Sequence, residues 1–154
     1  MSSSFVSCII TNMINSEILT RYIGIPFKDH GRSFDGCDCY GLVSLIYENE
    51  LNIHLPQLGD LYSNAYHKKE VNKTVASVDS QSWCKTVPPT ISLLKDYDVL
   101  VFRIGICDHH VGLYIGDGKM LHVIEGANAG IEKVNSSKWL RQFNRGLRYD
   151  TGEK

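Results

Sequence analysis

The sequence predicts an α+β fold on three observations. A helical periodicity opens at Cys39, short apolar β-rich runs gather after residue 90, and helices come first with a meander of strands second. Strands joined directly by short turns pair antiparallel, which argues against a parallel α/β sheet.

Taken in order, Ser16 precedes "EILTRYIG", a short helix with a cap at its start and Gly24 near its end. Pro26, Gly31 and Gly36 then mark an irregular loop. From Asp38 the pattern turns helical. Cys39, Leu42, Val43 and Ile46 recur at i, i+3, i+4 and i+7, Asp38 serves as N-cap, and "ENELNIHLP" closes the element. Between Gln57 and Thr90 the chain is polar; "LGDLYSNAY" fits a helix and "VNKTVASVDSQSW" a loop with a short strand. "YDVLVFRI" is an apolar strand, "HVGLYIG" alternates, and "KMLHVIEG" follows a Gly-Asp-Gly turn signal. "GIEKVN", a short helix near "SSKWLRQF" and a last strand in "GLRYD" complete the chain.

The 154 residues suit a single domain spanning 1–154, large enough to bury a core without staples. A net charge of −1 offers no basic stripe for nucleic acid. Five scattered cysteines are not a disulfide scaffold, so reduced thiols and synthesis in a cytoplasm are expected. The N-terminus lacks a basic n-region, and its apolar run is too short for a signal peptide or membrane insertion.

The chemistry centres on "RSFDGCDCYGLVSLIY", Arg32 to Tyr47. Cys39 opens a helix, where unpaired backbone N–H groups and the dipole favour an anion and lower a thiol's pKa. The helical phase points it inward, toward a base. The bland reading of the same residue is a small buried hydrophobe. A thiol nucleophile needs a base and the base an orienter. His110 and His122 lie on the two strands of one hairpin. A three-residue loop at Gly116–Gly118 puts residue 112 opposite 122 and His110 diagonal to His122 on the same face, roughly 7–8 Å away at Cα. A two-residue Asp117–Gly118 turn would separate their faces, so the catalytic reading requires the longer loop. His109 is the competing base, pointing to the other face. His30, His54 and His67 read as surface residues.

Two other chemistries use the same residues. Cys37-x-Cys39 and Cys107-x-His109 could supply four zinc ligands, but a C-x-C pair is an awkward tetrahedral bite. A Cys37–Cys39 disulfide would be strained; Cys37 is expected to be a bystander lining the approach. Asp38 either caps the helix or meets a substrate amine, with capping the simpler role. Arg32, Asp29 and Tyr40 are close enough in sequence to line a cleft. Trp83 and Trp139 read as core or interface aromatics.

"DCYGLV" (Asp38–Val43), "YDVLVF" (Tyr97–Phe102) and "HVGLYIGDGKMLH" (His110–His122) resemble, in that order, the motifs of the NlpC family of papain-like cysteine peptidases. The resemblance covers roughly Arg21 to Val123. It implies a papain-like fold with the nucleophile at a helix N-terminus packed on a central antiparallel sheet. It also implies Cys39 as nucleophile, His110 as base, His122 as orienting third residue and an oxyanion hole including the Cys39 N–H. Family substrates are peptidoglycan stem peptides, and no metal or cofactor is needed. Many cellular members have a tyrosine where Phe27 stands, which makes Phe27 a substrate-side position lacking a hydroxyl. Tyr97 replaces the usual glycine before Asp98, here expected to be a turn variation. The stretch "YIGIPFKDHGRSFDGCDCYGLVSLIYENELNIHLP" is similar to NlpC-type domains of tailed-phage tail proteins. That implies a tail-tip or tail-assembly peptidase of the virion, with other tail proteins as partners. The alternative is a structural tail protein that keeps the fold with little turnover.

Overall fold

The computed structural model describes residues 14–56 and 84–150. The helix expected in "LGDLYSNAY" and the loop expected in "VNKTVASVDSQSW" lie outside them, as do Cys8, His67 and Trp83. The first helix, α1, is Ser16–Tyr22. Its cap is Asn15, one residue before the expected Ser16, because the Asn15 side chain accepts the Ile18 N–H at 2.9 Å. The loop that follows contains a small hairpin, β1 (Arg32–Ser33) and β2 (Gly36–Cys37), paired antiparallel.

Helix α2 is Cys39–Leu51, and Asp38 caps it as expected by accepting the Gly41 N–H at 2.8 Å. "ENEL" belongs to the helix rather than ending it; Asn52, left-handed at φ 55°, terminates it and donates its N–H to the Tyr47 carbonyl. The expected one-sided apolar stripe is replaced by burial all round from Tyr40 to Tyr47. The helix lies between strands of the main sheet and the β1–β2 hairpin, so neither side faces water.

The described sheet comprises β3 (Cys84–Val87), β4 (Val99–Ile104), β5 (Cys107–Gly116), β6 (Lys119–His122), β7 (Gly130–Lys133) and β8 (Phe143–Tyr149). Its order is β3-β8-β4-β5-β6-β7, antiparallel throughout. The third helix, α3 (Ser137–Gln142), leads directly into β8. Alternation along the strands splits the core. Val99, Val101, Val111, Leu113 and Leu121 pack with α2, while Leu100, Phe102, Met120 and Phe143 pack with Trp139 of α3.

The β5–β6 turn differs from the loop expected of it. Gly116 pairs with Lys119 across a two-residue Asp117–Gly118 turn, both residues at positive φ (53° and 70°). Nevertheless Leu113 faces Leu121, because the register slips by one residue between Tyr114 and Gly116. That bulge restores the parity a two-residue turn would otherwise have reversed. His110 and His122 therefore share a face, by a route the sequence did not announce.

Tyr97 has φ 74°, the left-handed region in which a side chain is strained. Its buried ring packs edge-on against Tyr47, 6.2 Å between centroids, and the Tyr47 hydroxyl donates to the Tyr97 carbonyl at 2.5 Å. Next to it, buried Asp98 receives Arg148 through two nitrogens, at 2.9 and 2.8 Å, tying the start of β4 to β8.

Candidate active site

The N-terminus of α2 meets one end of the sheet, where β4 and β6 finish and β5 begins. A cavity of about 310 Å³ opens there, lined among others by Phe27, Cys39, His109, His110, Lys138 and Trp139. Two tight approaches hold the β1 loop against the first turn of α2, where Cys39 lies. A Cβ on Gly41 would fall 2.0 Å from the Gly31 carbonyl oxygen and 2.6 Å from Arg32 Nη1, so only glycine lets the β1 loop close over the first turn of the helix. Arg32 Nη1 donates to the Gly31 carbonyl at 2.8 Å and to Asp38 Oδ1 at 2.7 Å. Asp38 Oδ2 also accepts the His30 N–H at 3.1 Å.

The polar residues beside Cys39 are thus engaged within the fold. Asp38 is buried, caps α2 and pairs with Arg32, whose guanidinium stands 5.8 Å from the centre of the Tyr40 ring. The Tyr40 hydroxyl donates to the Pro56 carbonyl at 2.7 Å. Asp38, Arg32, Tyr40 and Asp29 are absent from the cavity wall, whereas Phe27 forms part of it. Cys37 is fully buried in the core rather than lining the approach, and its sulfur donates to the Ser33 carbonyl at 3.1 Å. Cys37, Cys39, Cys84 and Cys107 are free thiols, and the described residues hold no cluster of three or more metal-ligating side chains.

The two histidines meet. His110 Nε2 lies 2.9 Å from His122 Nδ1, with ring centroids 5.1 Å apart. His122 Nε2 lies 2.5 Å from Glu132 Oε2 on β7. Trp139 walls both rings, tilted over His110 at 5.3 Å and edge-on to His122 at 5.1 Å, and Phe102 closes on His110 at 5.7 Å. His109 turns away to Gln142 Oε1 at 2.8 Å while still contributing to the cavity wall.

Burial dominates the electrostatics, and it reverses the expectation of an acidified thiol. Removal from water pushes Cys39 up to about 12, and the Asp38 carboxylate adds to that; the Val111 and Tyr40 backbone hydrogen bonds pull the other way without prevailing. The Val111 bond also seats the sulfur beside the residue that follows His110. Burial holds His110 well below its ordinary value, assisted by His122, His109 and Lys138. His122 is lowered by burial too, against the opposing pull of Glu132. Both shifts favour the uncharged thiol and imidazole over the ion pair.

Glu132, Lys138 and Gln142 are site residues that sequence reasoning missed, and Trp139 reaches further than the core role expected of it. The signal for Glu132 is the β6–β7 register: Glu132 pairs with Met120 and His122 with Gly130, so Glu132 lies diagonal to His122 on one face. Nothing in "GIEKVN" read alone fixes that pairing.

A family model described as the NlpC/P60 family matches residues 24–148. The chain is 25% identical over 138 residues to the murein DD-endopeptidase MepS/murein LD-carboxypeptidase of Escherichia coli (strain K12), covering 88% of this chain and 63% of that protein. It is likewise 25% identical over 138 residues to the gamma-DL-glutamyl hydrolase of Bacillus subtilis (strain 168), covering 84% and 27%. The chain therefore spans less than two thirds of the length of these relatives. Among solved structures it superposes on the peptidoglycan hydrolase RipB of Mycobacterium tuberculosis with a TM-score of 0.58 at 17% identity, covering 96% of this chain and 67% of that one. That likeness confirms the papain-like α+β fold expected from the sequence.

Proposed function

The chain belongs to the NlpC/P60 family, and on that premise we propose that it is a cysteine endopeptidase hydrolysing peptide bonds of bacterial peptidoglycan stem peptides. The observation that carries this reading is the shared cavity, which Cys39 and His110 both line, with His110 hydrogen-bonded to His122. Cys39 Sγ attacks the scissile amide carbonyl as His110 accepts the thiol proton. The oxyanion takes hydrogen bonds from backbone N–H groups including that of Cys39. Collapse breaks the C–N bond, and the amine leaves with the proton held by His110. A water molecule, deprotonated by His110, then opens the thioester, releasing the new carboxyl and restoring the thiol. His122 orients His110 through the 2.9 Å bond. No step draws on a metal or cofactor. With Asp38, Arg32 and Tyr40 engaged in the fold, substrate contacts fall to the cavity wall, Phe27 included.

We further propose that the activity belongs to a phage tail, as a virion component made in the bacterial cytoplasm, assembled beside other tail proteins and acting on the wall. The continuous loop-and-helix stretch from Tyr22 to Pro56 supports that placement by its likeness to tail-protein domains. The rival, a structural tail protein with little turnover, draws on Phe27, which brings a ring without a hydroxyl to the cavity wall. Muropeptides incubated with the parent and with Cys39→Ala, then read by mass spectrometry, decide between them. The parent is expected to cut one defined bond and Cys39→Ala none. Equal cleavage by both overturns the mechanism, and cleavage by neither favours the structural rival.

A further inference from the structure

We infer that Glu132 is a positioning residue of this site, setting the tautomers of both histidines so that the nitrogen offered to Cys39 is the empty one. The inference rests on the functional reading above and deepens it. A carboxylate oxygen can only accept, so the 2.5 Å contact obliges His122 Nε2 to carry a proton. A neutral imidazole carries one proton, so His122 Nδ1 is left as an acceptor. The 2.9 Å contact then obliges His110 Nε2 to donate, which leaves His110 Nδ1 as the lone-pair nitrogen and the base. One carboxylate thus settles two rings in sequence.

Without it, the opposite arrangement satisfies the central bond equally well. His122 Nδ1–H would donate to His110 Nε2, and the His110 proton would move to Nδ1, the nitrogen that must be empty for catalysis. Trp139 and Phe102 wall the rings, so proton placement rather than ring rotation is what remains to be set. The other charged neighbour, Lys138, stands 4.6 Å over the Trp139 ring and disfavours charge on both histidines without choosing a tautomer. Glu132 is half-exposed on β7, so its replacement spares the core.

The test combines imidazole ¹⁵N NMR on the folded protein with muropeptide kinetics, for the parent, Glu132→Ala and Glu132→Gln. The parent is expected to show Nε2–H on both histidines. In Glu132→Ala the His122 signal should move to a mixed or Nδ1–H pattern, with kcat down about tenfold or more and KM within about twofold. Glu132→Gln, whose amide oxygen accepts the same bond, should retain the parent tautomers and recover most of kcat. Unchanged tautomers in Glu132→Ala overturn the inference, whatever the rates. A parent that cleaves nothing fails the functional reading instead, and the tautomer comparison still decides this one.

Discussion

Gly112 leaves the space that His122 occupies. A Cβ at residue 112 would stand 3.1 Å from the Met120 sulfur and 3.4 Å from His122 Cβ, so a side chain there crowds both and fits only as Met120 gives by a few tenths of an ångström. His122 is in turn 2.9 Å from His110, and a displaced ring loosens the proposed base. Gly112→Ala is expected to cost about 1 kcal/mol through overpacking, the low end because the flexible Met120 side chain takes up most of the crowding. It should lower kcat about tenfold, because a misplaced orienter acts on the rate rather than on binding. Thermal melting and muropeptide kinetics check both parts; a kcat equal to the parent's would show that His122 tolerates the crowding.

The site's thiol should not behave as a preformed thiolate. Cys39 is pushed up to about 12 and His110 is held well below its ordinary value, both chiefly by burial. Iodoacetamide labelling of the Cys39 peptide, followed by mass spectrometry, should therefore rise with pH from 6 to 9, about tenfold per unit, as the small thiolate fraction grows. A plateau below pH 7 would mean an ion pair and would overturn the expectation of a neutral thiol. The acid limb of kcat/KM, set by protonation of His110 in the free enzyme, should fall below pH 6.5.

The start of α2 and the β4–β5–β6 run of antiparallel strands were legible because each rests on a local rule, whereas the insertion of β8 between β3 and β4 was not. Asp38 is followed three residues on by the Gly41 N–H it caps, and the strands alternate. Three further features were not legible. The Tyr114–Gly116 bulge adds one residue to a strand with no residue type that announces it. The thiol's titration depends on long-range burial, which outweighs the helix-terminus effect read from sequence. Tyr97, where a glycine is usual, keeps its positive φ because the Tyr47 ring and hydroxyl hold it there. Each of these is a tertiary effect on a position whose local sequence is ordinary.

Cys37 should prove dispensable for chemistry. It is fully buried, and its sulfur is bonded to the Ser33 carbonyl rather than directed at the cavity. Cys37→Ala is expected to lose about 1 kcal/mol of packing, with turnover within about twofold of the parent. Melting and muropeptide turnover measure the two effects. A loss of turnover as deep as that of Cys39→Ala would put the wrong cysteine in the mechanism.

The strongest stability effect is expected at Asp108, two residues before His110. Buried Asp108 accepts Arg103 Nε at 2.8 Å and two nitrogens of buried Arg145 at 3.3 and 3.2 Å, pinning the start of β5 to β4 and β8. Removing the carboxylate takes the paired negative charge from buried Arg145 and leaves it neutral contacts such as Asn144 Oδ1 at 2.7 Å. Asp108→Ala should cost about 3–5 kcal/mol, a fall in melting temperature of about 10 °C for a domain of this size. Burial alone would raise the Asp108 carboxyl, but Arg103 and Arg145 outweigh it and hold it below the ordinary 3.8. The folded group is thus harder to protonate than the unfolded one, so its contribution is complete above 3.8 and is lost as pH falls through the lowered value. The melting gap between parent and Asp108→Ala should be wide at pH 7 and narrow below pH 3.8. A gap that stays constant down to pH 2.5 would show that Asp108 stabilises the fold by packing rather than by charge.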